Sequence, residues 1–275
     1  MSFYNTPFKK YSIKDEDKFL KTCSVRLILT NVCSMDCWYC TFHSKYKDRT
    51  AQYITDELWK KIIEYIDAQE KENVNFMFTG GEPTIHPKFK EYVKELHDHY
   101  GDRIKIQLNT NLSRSIDFFK KDFPDIEMDI LASYHTDYVA SEEDFFKKIE
   151  ILERFNNIRI HLMLEKKNIE EIKRLYLKYK DHFFENPYTA LDVVPIHEFE
   201  NDEDFKRIDW FDKDVRHFGY IKVVGDISDI VPRTDNCLEH RNFNKMLCTG
   251  EHIIEPQGDV YHCYQDIFPK RVKTN

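Results

Sequence analysis

The chain has 275 residues, long enough for one or two domains with a full apolar core. Its composition is 41% hydrophobic and 33% charged, which excludes a disordered chain, and no apolar run approaches the roughly 18 residues of a membrane span. Forty-one basic residues against 49 acidic ones leave a net charge of −8, which argues against a nucleic-acid or anionic-membrane surface.

Residues 1–22 carry no apolar core of the secretory type, so the expected location is the cytoplasm. From residue 24 onward, strand-like and helix-like runs alternate. Ser24–Thr30 is β-rich, and Asp56–Asp67 places Leu58, Trp59, Ile62, Ile63 and Ile66 on one helical face. Val74–Phe78 is the second strand. Its helix starts at Pro87, carries Phe89, Val93 and Leu96, and stops before Gly101. Ile104–Leu108 is the third strand, followed by a short helix near Ser113–Lys120. Met128–Ala132 is the fourth, and Ser141 opens the next helix with a capping-box variant. Ile158–Leu164 is the fifth, with Asn168 capping the helix beyond it. Ala190–Val194 completes six β units.

Such alternation predicts parallel βαβ units, either an open doubly wound sheet or a partial barrel, since six units are too few for a closed eight-stranded one. Both place their chemistry on the loops leaving the C-terminal strand ends. Four segments are expected: a lead-in over 1–22, the α/β body over 23–196, a charged connector over 197–219 and a small cysteine-bearing tail over 220–275. In that tail Pro256-Gln257-Gly258-Asp259 reads as a hairpin turn.

Seven cysteines in a chain without a signal peptide suggest metal ligation rather than disulfides. Cys33, Cys37 and Cys40 form a C-x3-C-x2-C run on the loop after the first strand. Three thiolates on one loop can hold three irons of a cubane and leave the fourth open. The alternative is a zinc site completed by His43. At the end of the second strand stands Phe78-Thr79-Gly80-Gly81-Glu82-Pro83, in which glycines allow close backbone approach to a ligand and a carboxylate can pair with an ammonium. Cys23, outside both cysteine groups, reads as a small buried hydrophobe.

The cysteine triplet with Tyr39 before its last member, followed by the Gly-Gly-Glu-Pro motif, resembles the radical S-adenosylmethionine (SAM) superfamily. The resemblance implies a partial (β/α)6 barrel, a [4Fe–4S] cluster on Cys33, Cys37 and Cys40, and SAM chelated to its open iron. It assigns Tyr39, Gly80, Gly81, Glu82 and Pro83 to SAM, with Glu82 on the methionyl amine, so that losing Glu82 would weaken SAM binding and spare the iron. Weaker SAM contacts are expected at the strand ends: Asn109 with Thr110 and Asn111, Ser133, Glu165 with Lys166, and Val194 with Pro195. His135 is the candidate catalytic residue, facing substrate and exchanging a proton near neutral pH.

Cys248 and Cys263 frame a C-x9-G-x4-C pattern around the hairpin, with Cys237 eleven positions earlier. This resembles the SPASM and Twitch extensions and implies a second, auxiliary [4Fe–4S] cluster, its fourth site left open or closed by His240, His252, His262 or Asp266. A Cys3His zinc site is the alternative there. The resemblance further implies reductive SAM cleavage to a 5′-deoxyadenosyl radical, hydrogen abstraction from a substrate at the C-terminal barrel mouth between the clusters, and an electron donor such as flavodoxin or ferredoxin. The substrate is expected to be a small organic or amino-acid-like molecule, because only about 22 residues precede the first strand; a peptide is the second choice. A non-catalytic iron–sulfur or zinc module is the reading from another class.

Overall fold

The computed structural model of the chain describes residues 21–40, 51–185, 189–196 and 252–261. Six βα-type strands follow in order: β1 (Thr22–Thr30), β2 (Asn73–Gly80), β3 (Ile104–Thr110), β4 (Asp129–Tyr134), β5 (Asn157–Leu164) and β6 (Thr189–Pro195). Between them run α1 (Asp56–Asp67), α2 (Phe89–Tyr100), α3 (Ile116–Asp122), α4 (Glu142–Leu152) and α5 (Ile169–Glu185). All six strands pair in parallel in the order β6-β5-β4-β3-β2-β1. The edges do not meet, so this is the partial barrel that six units permit.

Strand alternation sorts the side chains. Leu27, Phe76, Leu108, Ile130, Ile160 and Val193 point toward the helices and are almost fully enclosed there. Trp59 of α1 stacks on Tyr92 of α2 at 4.2 Å and meets Phe76 edge-on, while its indole N–H donates to Glu95 at 2.8 Å. Thr55 caps α1 by accepting from the Leu58 N–H, and Ser141 caps α4 by accepting from the Asp144 N–H; each cap contributes about 1 kcal/mol. Gly101, at φ 55°, ends α2 where a side chain would be strained. Cys23 is buried and burial pushes its thiol pKa up, as a small core hydrophobe requires.

Some boundaries differ from expectation. Helix α2 begins at Phe89 rather than Pro87, because His86 and Pro87 form the exit of a 3-10 turn over Pro83–Ile85. Helix α3 starts at Ile116, since Leu112 takes a left-handed φ of 53° and Ser113 N donates to the Asn111 side chain. Asn168 does not cap α5 as expected. It ends a 3-10 turn over Lys166–Asn168, and its carboxamide oxygen accepts from the Glu165 N–H at 2.7 Å.

The hairpin at 256–259 forms as expected, joining β7 (His252–Ile254) to antiparallel β8 (Val260–Tyr261). Its location was not foreseen. Strand β7 pairs in parallel with β1, with Val25 opposite His252 and Leu27 opposite Ile254, so the sheet gains two strands beyond β1. Tyr65 of α1 bonds the His252 ring at 2.9 Å, and Gly258 lies against Leu58. Among the described residues no helix is long and apolar enough to cross a membrane.

Candidate functional site

The loop after β1 and the loop after β2 are welded backbone to backbone. Gly81 N donates to Thr30 O and Glu82 N to Val32 O, both at 2.8 Å. A Cβ on Gly81 would stand 2.2 Å from Val32 O, and one on Gly80, whose φ is 132°, would stand 2.2 Å from Thr30 O. Only glycine permits this approach. The cysteine loop is held from its other side by Gln52, which receives the Asn31 N–H and the Thr30 hydroxyl. The Gly80-Gly81 pair thereby fixes the height of the loop carrying Cys33, Cys37 and Cys40.

Cys33 Sγ receives the Met35 N–H at 3.4 Å and the Asn111 amide at 3.6 Å. Cys37 Sγ lies 3.7 Å from His135 Nδ1. Burial, with smaller contributions from the neighbouring cysteines, pushes Cys33 up to about 11 and Cys37 to about 12. Both are thiols until metal displaces their protons. Among the described residues no three His, Cys, Asp or Glu converge on one ion. A cubane, which binds each thiolate at a different iron, does not ask them to.

Glu82 is completely buried, and its carboxylate already accepts four hydrogen bonds. Oε1 takes the Thr84 N–H (3.2 Å), the Thr84 hydroxyl (2.6 Å) and the Thr110 hydroxyl (2.8 Å); Oε2 takes the Asn111 N–H (2.7 Å). Burial pushes its pKa up and the four donors oppose that. Glu82 therefore ties the loop after β2 to the end of β3, besides any part it takes toward an amine. Pro83 is buried in the turn that this carboxylate caps. Asn111 is the joint: its backbone holds Glu82 while its side chain reaches Cys33 and Ser34.

His135, at the end of β4, faces the cysteine loop. Its Nδ1 is 2.8 Å from the Tyr39 hydroxyl, and the two rings stack at 5.9 Å. Burial pushes its pKa down to about 4, so the expected proton exchange near neutral pH is not what this environment supports. The phenol of Tyr39 is raised by burial and by Cys37. Glu165 is also fully buried; Oε2 accepts from the Trp38 indole at 2.8 Å, and Oε1 has no hydrogen-bond partner among the described residues. Asn109 donates to Thr79 at 3.3 Å and likewise leaves its buried Oδ1 unpaired. Ser133 stands opposite His161 in the β4–β5 register, and Val194 and Pro195 stand opposite Met163 and Leu164.

With the site's geometry in place, comparison with known proteins decides the family. The family model described as Radical SAM superfamily matches residues 27–209, two-thirds of the chain. The chain belongs to the radical SAM superfamily. Its members are enzymes that use a [4Fe–4S] cluster and SAM. Among solved structures, native anSMEcpe with bound AdoMet superposes with a TM-score of 0.55 at 16% identity, over 88% of this chain and 74% of that one. BtrN in complex with AdoMet and 2-DOIA gives 0.48 at 14%, over 93% and 77%. Native anSMEcpe with AdoMet and Cp18Cys peptide gives 0.48 at 16%, over 64% of this chain and only 51% of that chain. At these identities the likeness is one of fold. No match is found among curated proteins.

The donor set fits the radical SAM cofactors. Three thiols share one loop, the close backbone approach at Gly80 and Gly81 fixes that loop beside the Glu82 turn, and buried acceptors on Asn109 and Glu165 await donors. Cys237, Cys248, Cys263, His240, His262 and Asp266 lie outside the described residues, as do residues 1–20 and the 197–219 connector. The hairpin between Cys248 and Cys263 has its open end level with Val25 and Arg26, near the start of β1 and away from the Cys33 loop.

Trp38, which donates to Glu165, and the inward cluster of Arg159, His161 and Asp192 were not picked out by sequence reasoning. The signal for Arg159 and His161 was present, as polar residues at alternate positions of the strand NIRIHLML.

Proposed function

We propose that this radical SAM enzyme abstracts a hydrogen atom from a small organic or amino-acid-like substrate. When bound at Cys33, Cys37 and Cys40, a reduced [4Fe–4S] cluster supplies the one-electron cleavage of SAM that generates a 5′-deoxyadenosyl radical. The chain's own residues position and enclose. The observation that carries the reading is the weld between the cysteine loop and the Gly-Gly-Glu-Pro loop, with Asn111 touching both Cys33 and the Glu82 carboxylate. The Tyr39–His135 contact orients the ring before Cys40, and Glu165 and Asn109 offer unpaired acceptors to SAM. A flavodoxin or ferredoxin would deliver the electron.

The test is electron paramagnetic resonance of the iron-reconstituted, reduced protein. Adding SAM should shift the spectrum of a signal that Cys33→Ala lacks; a spectrum indifferent to SAM defeats the reading.

The proposal assigns residues 23–196 to the catalytic barrel and 220–275 to a SPASM/Twitch-like extension. There Cys237, Cys248 and Cys263 hold an auxiliary [4Fe–4S] cluster, and the β7–β8 hairpin between the last two supports this. The variant lacking Cys33, Cys37 and Cys40 should still bind iron, on the order of four per chain. Zinc without iron in that variant would replace the cluster by a structural zinc site.

A further inference from the structure

Asn111 stands directly after β3, and each of its N–H groups is already engaged inside the protein. Its backbone N–H donates to Glu82 Oε2 at 2.7 Å. Its side-chain amide donates to Cys33 Sγ at 3.6 Å and to Ser34 Oγ at 3.1 Å. Those are all the N–H groups an asparagine carries. The residue is buried, so these bonds are shielded from water. The SAM contact expected of it from the sequence has no N–H left to make it; its donors face the cysteine loop.

The direction of the amide is decided at its other end. The Ser113 N–H donates to Asn111 Oδ1 at 3.0 Å, which sets the oxygen on the turn and the NH2 group on the sulfur. The turn is held in its own right. Leu112 is buried at a left-handed φ of 53°, its N–H donates to Thr110 Oγ1 at 3.1 Å, and Lys148 of α4 donates to its carbonyl at 3.0 Å. An enclosed leucine keeps that conformation only where its surroundings impose it. The aim of the Asn111 amide is thus fixed from β3, from α4 and from the Glu82 carboxylate.

Cys33 Sγ also receives the Met35 N–H, at 3.4 Å. A sulfur bound to iron carries more negative charge when its cluster is reduced than when it is oxidised. A donor aimed at that sulfur therefore favours the reduced form and raises the potential. Hydrogen bonds to ligand sulfurs are among the means by which a protein sets the potential of an iron–sulfur cluster. The Met35 donor belongs to the backbone of the cysteine loop itself. The Asn111 donor is a side chain brought to the same sulfur from another strand, across 78 positions of sequence.

We propose that Asn111 acts through Cys33 as a positioning residue whose side-chain amide raises the reduction potential of the cluster held by Cys33, Cys37 and Cys40. The proposal rests on the radical SAM reading above and adds to it a residue that works on the cluster rather than on SAM.

The test is a redox titration of the iron-reconstituted full chain without SAM, followed by electron paramagnetic resonance on the signal that Cys33→Ala lacks. Asn111→Ala keeps the backbone N–H to Glu82 and loses the amide. Its midpoint should fall, so that at a fixed potential the ratio of reduced to oxidised cluster drops about three- to tenfold, a shift of up to about 59 mV. Ser34→Ala removes the amide's other partner on the same loop and leaves the bond to Cys33, so its midpoint should match wild type. A residue that only braced the loop would move both variants together.

A measurement on the wild-type chain covers the case in which Asn111→Ala takes up no iron. With asparagine carrying nitrogen-15 at the side-chain amide, pulsed electron paramagnetic resonance of the reduced cluster should show a coupling to that nitrogen. Among the described residues, Asn111 is the asparagine whose amide donates to a cysteine sulfur. A lowered midpoint in Asn111→Ala, an unchanged one in Ser34→Ala and the nitrogen coupling together bear the proposal out. An unchanged or raised midpoint in iron-loaded Asn111→Ala, an equal fall in both variants, or wild-type protein without the coupling overturns it. Wild-type protein that forms 5′-deoxyadenosine from SAM while its potential is indifferent to Asn111 defeats this proposal alone. Wild-type protein that forms none, whatever its potential, defeats the reading beneath it.

Discussion

Replacing Glu82 with Ala separates a local SAM clamp from an architectural role. The substitution removes an acceptor for four donors at a position with no solvent exposure: the Thr84 N–H and hydroxyl, the Thr110 hydroxyl and the Asn111 N–H. The two hydroxyls can rotate toward other acceptors, but the two backbone N–H groups cannot. Each buried donor left unsatisfied costs about 1–3 kcal/mol, so the pair costs about 2–6 kcal/mol. Against a total stability of about 5–15 kcal/mol, that is a large share. Urea denaturation of the apoprotein, without cluster or SAM, measures it directly. The same variant should retain less iron, because Asn111 loses the anchor that holds its amide 3.6 Å from Cys33. Wild-type stability and full iron content, with only SAM affinity reduced, would refute the architectural role and restore the simple clamp expected from the sequence.

Gly81→Ala should force the two loops apart by about 0.8 Å, from 2.2 Å to the 3.0 Å that real Cβ contacts respect, and break both 2.8 Å bonds between them. At about 0.5–1.5 kcal/mol per bond the expected loss is roughly 1–3 kcal/mol, with poorer iron uptake; an unshifted urea midpoint would contradict it. Stability should also fall with pH. His161 titrates near 6.5 when unfolded but at about 3 when folded, so between those values the unfolded chain holds a proton the native chain does not. The unfolding free energy then drops by up to about 1.4 kcal/mol per pH unit on acidification. His161→Gln should flatten that slope, and an identical slope in the variant would count against the buried neutral imidazole.

Much of this architecture was visible in the sequence because the deciding information was local. Six strands with one apolar face each, the cap at Ser141 and a stop at Gly101 follow from periodicity and backbone preference. The cysteine triplet and the glycine pair were visible for the same reason. What escaped depends on residues far apart in the chain. The Glu82 carboxylate is satisfied from Thr110 and Asn111, almost 30 positions away, and Glu165 receives Trp38 across 127. The pKa of His135 follows from enclosure that no local pattern encodes. Strand β7 was expected in a separate tail, yet it extends the sheet at β1, because a short apolar strand fits the open edge there.

The central claim is that Cys33, Cys37 and Cys40 hold a cluster that cleaves SAM. Its most direct test is chromatographic detection of 5′-deoxyadenosine after iron-reconstituted, chemically reduced protein is mixed with SAM. The account predicts that 5′-deoxyadenosine forms, that it requires reductant, and that it vanishes in Cys37→Ala. Its absence from fully iron-loaded, reduced wild-type protein would contradict the account.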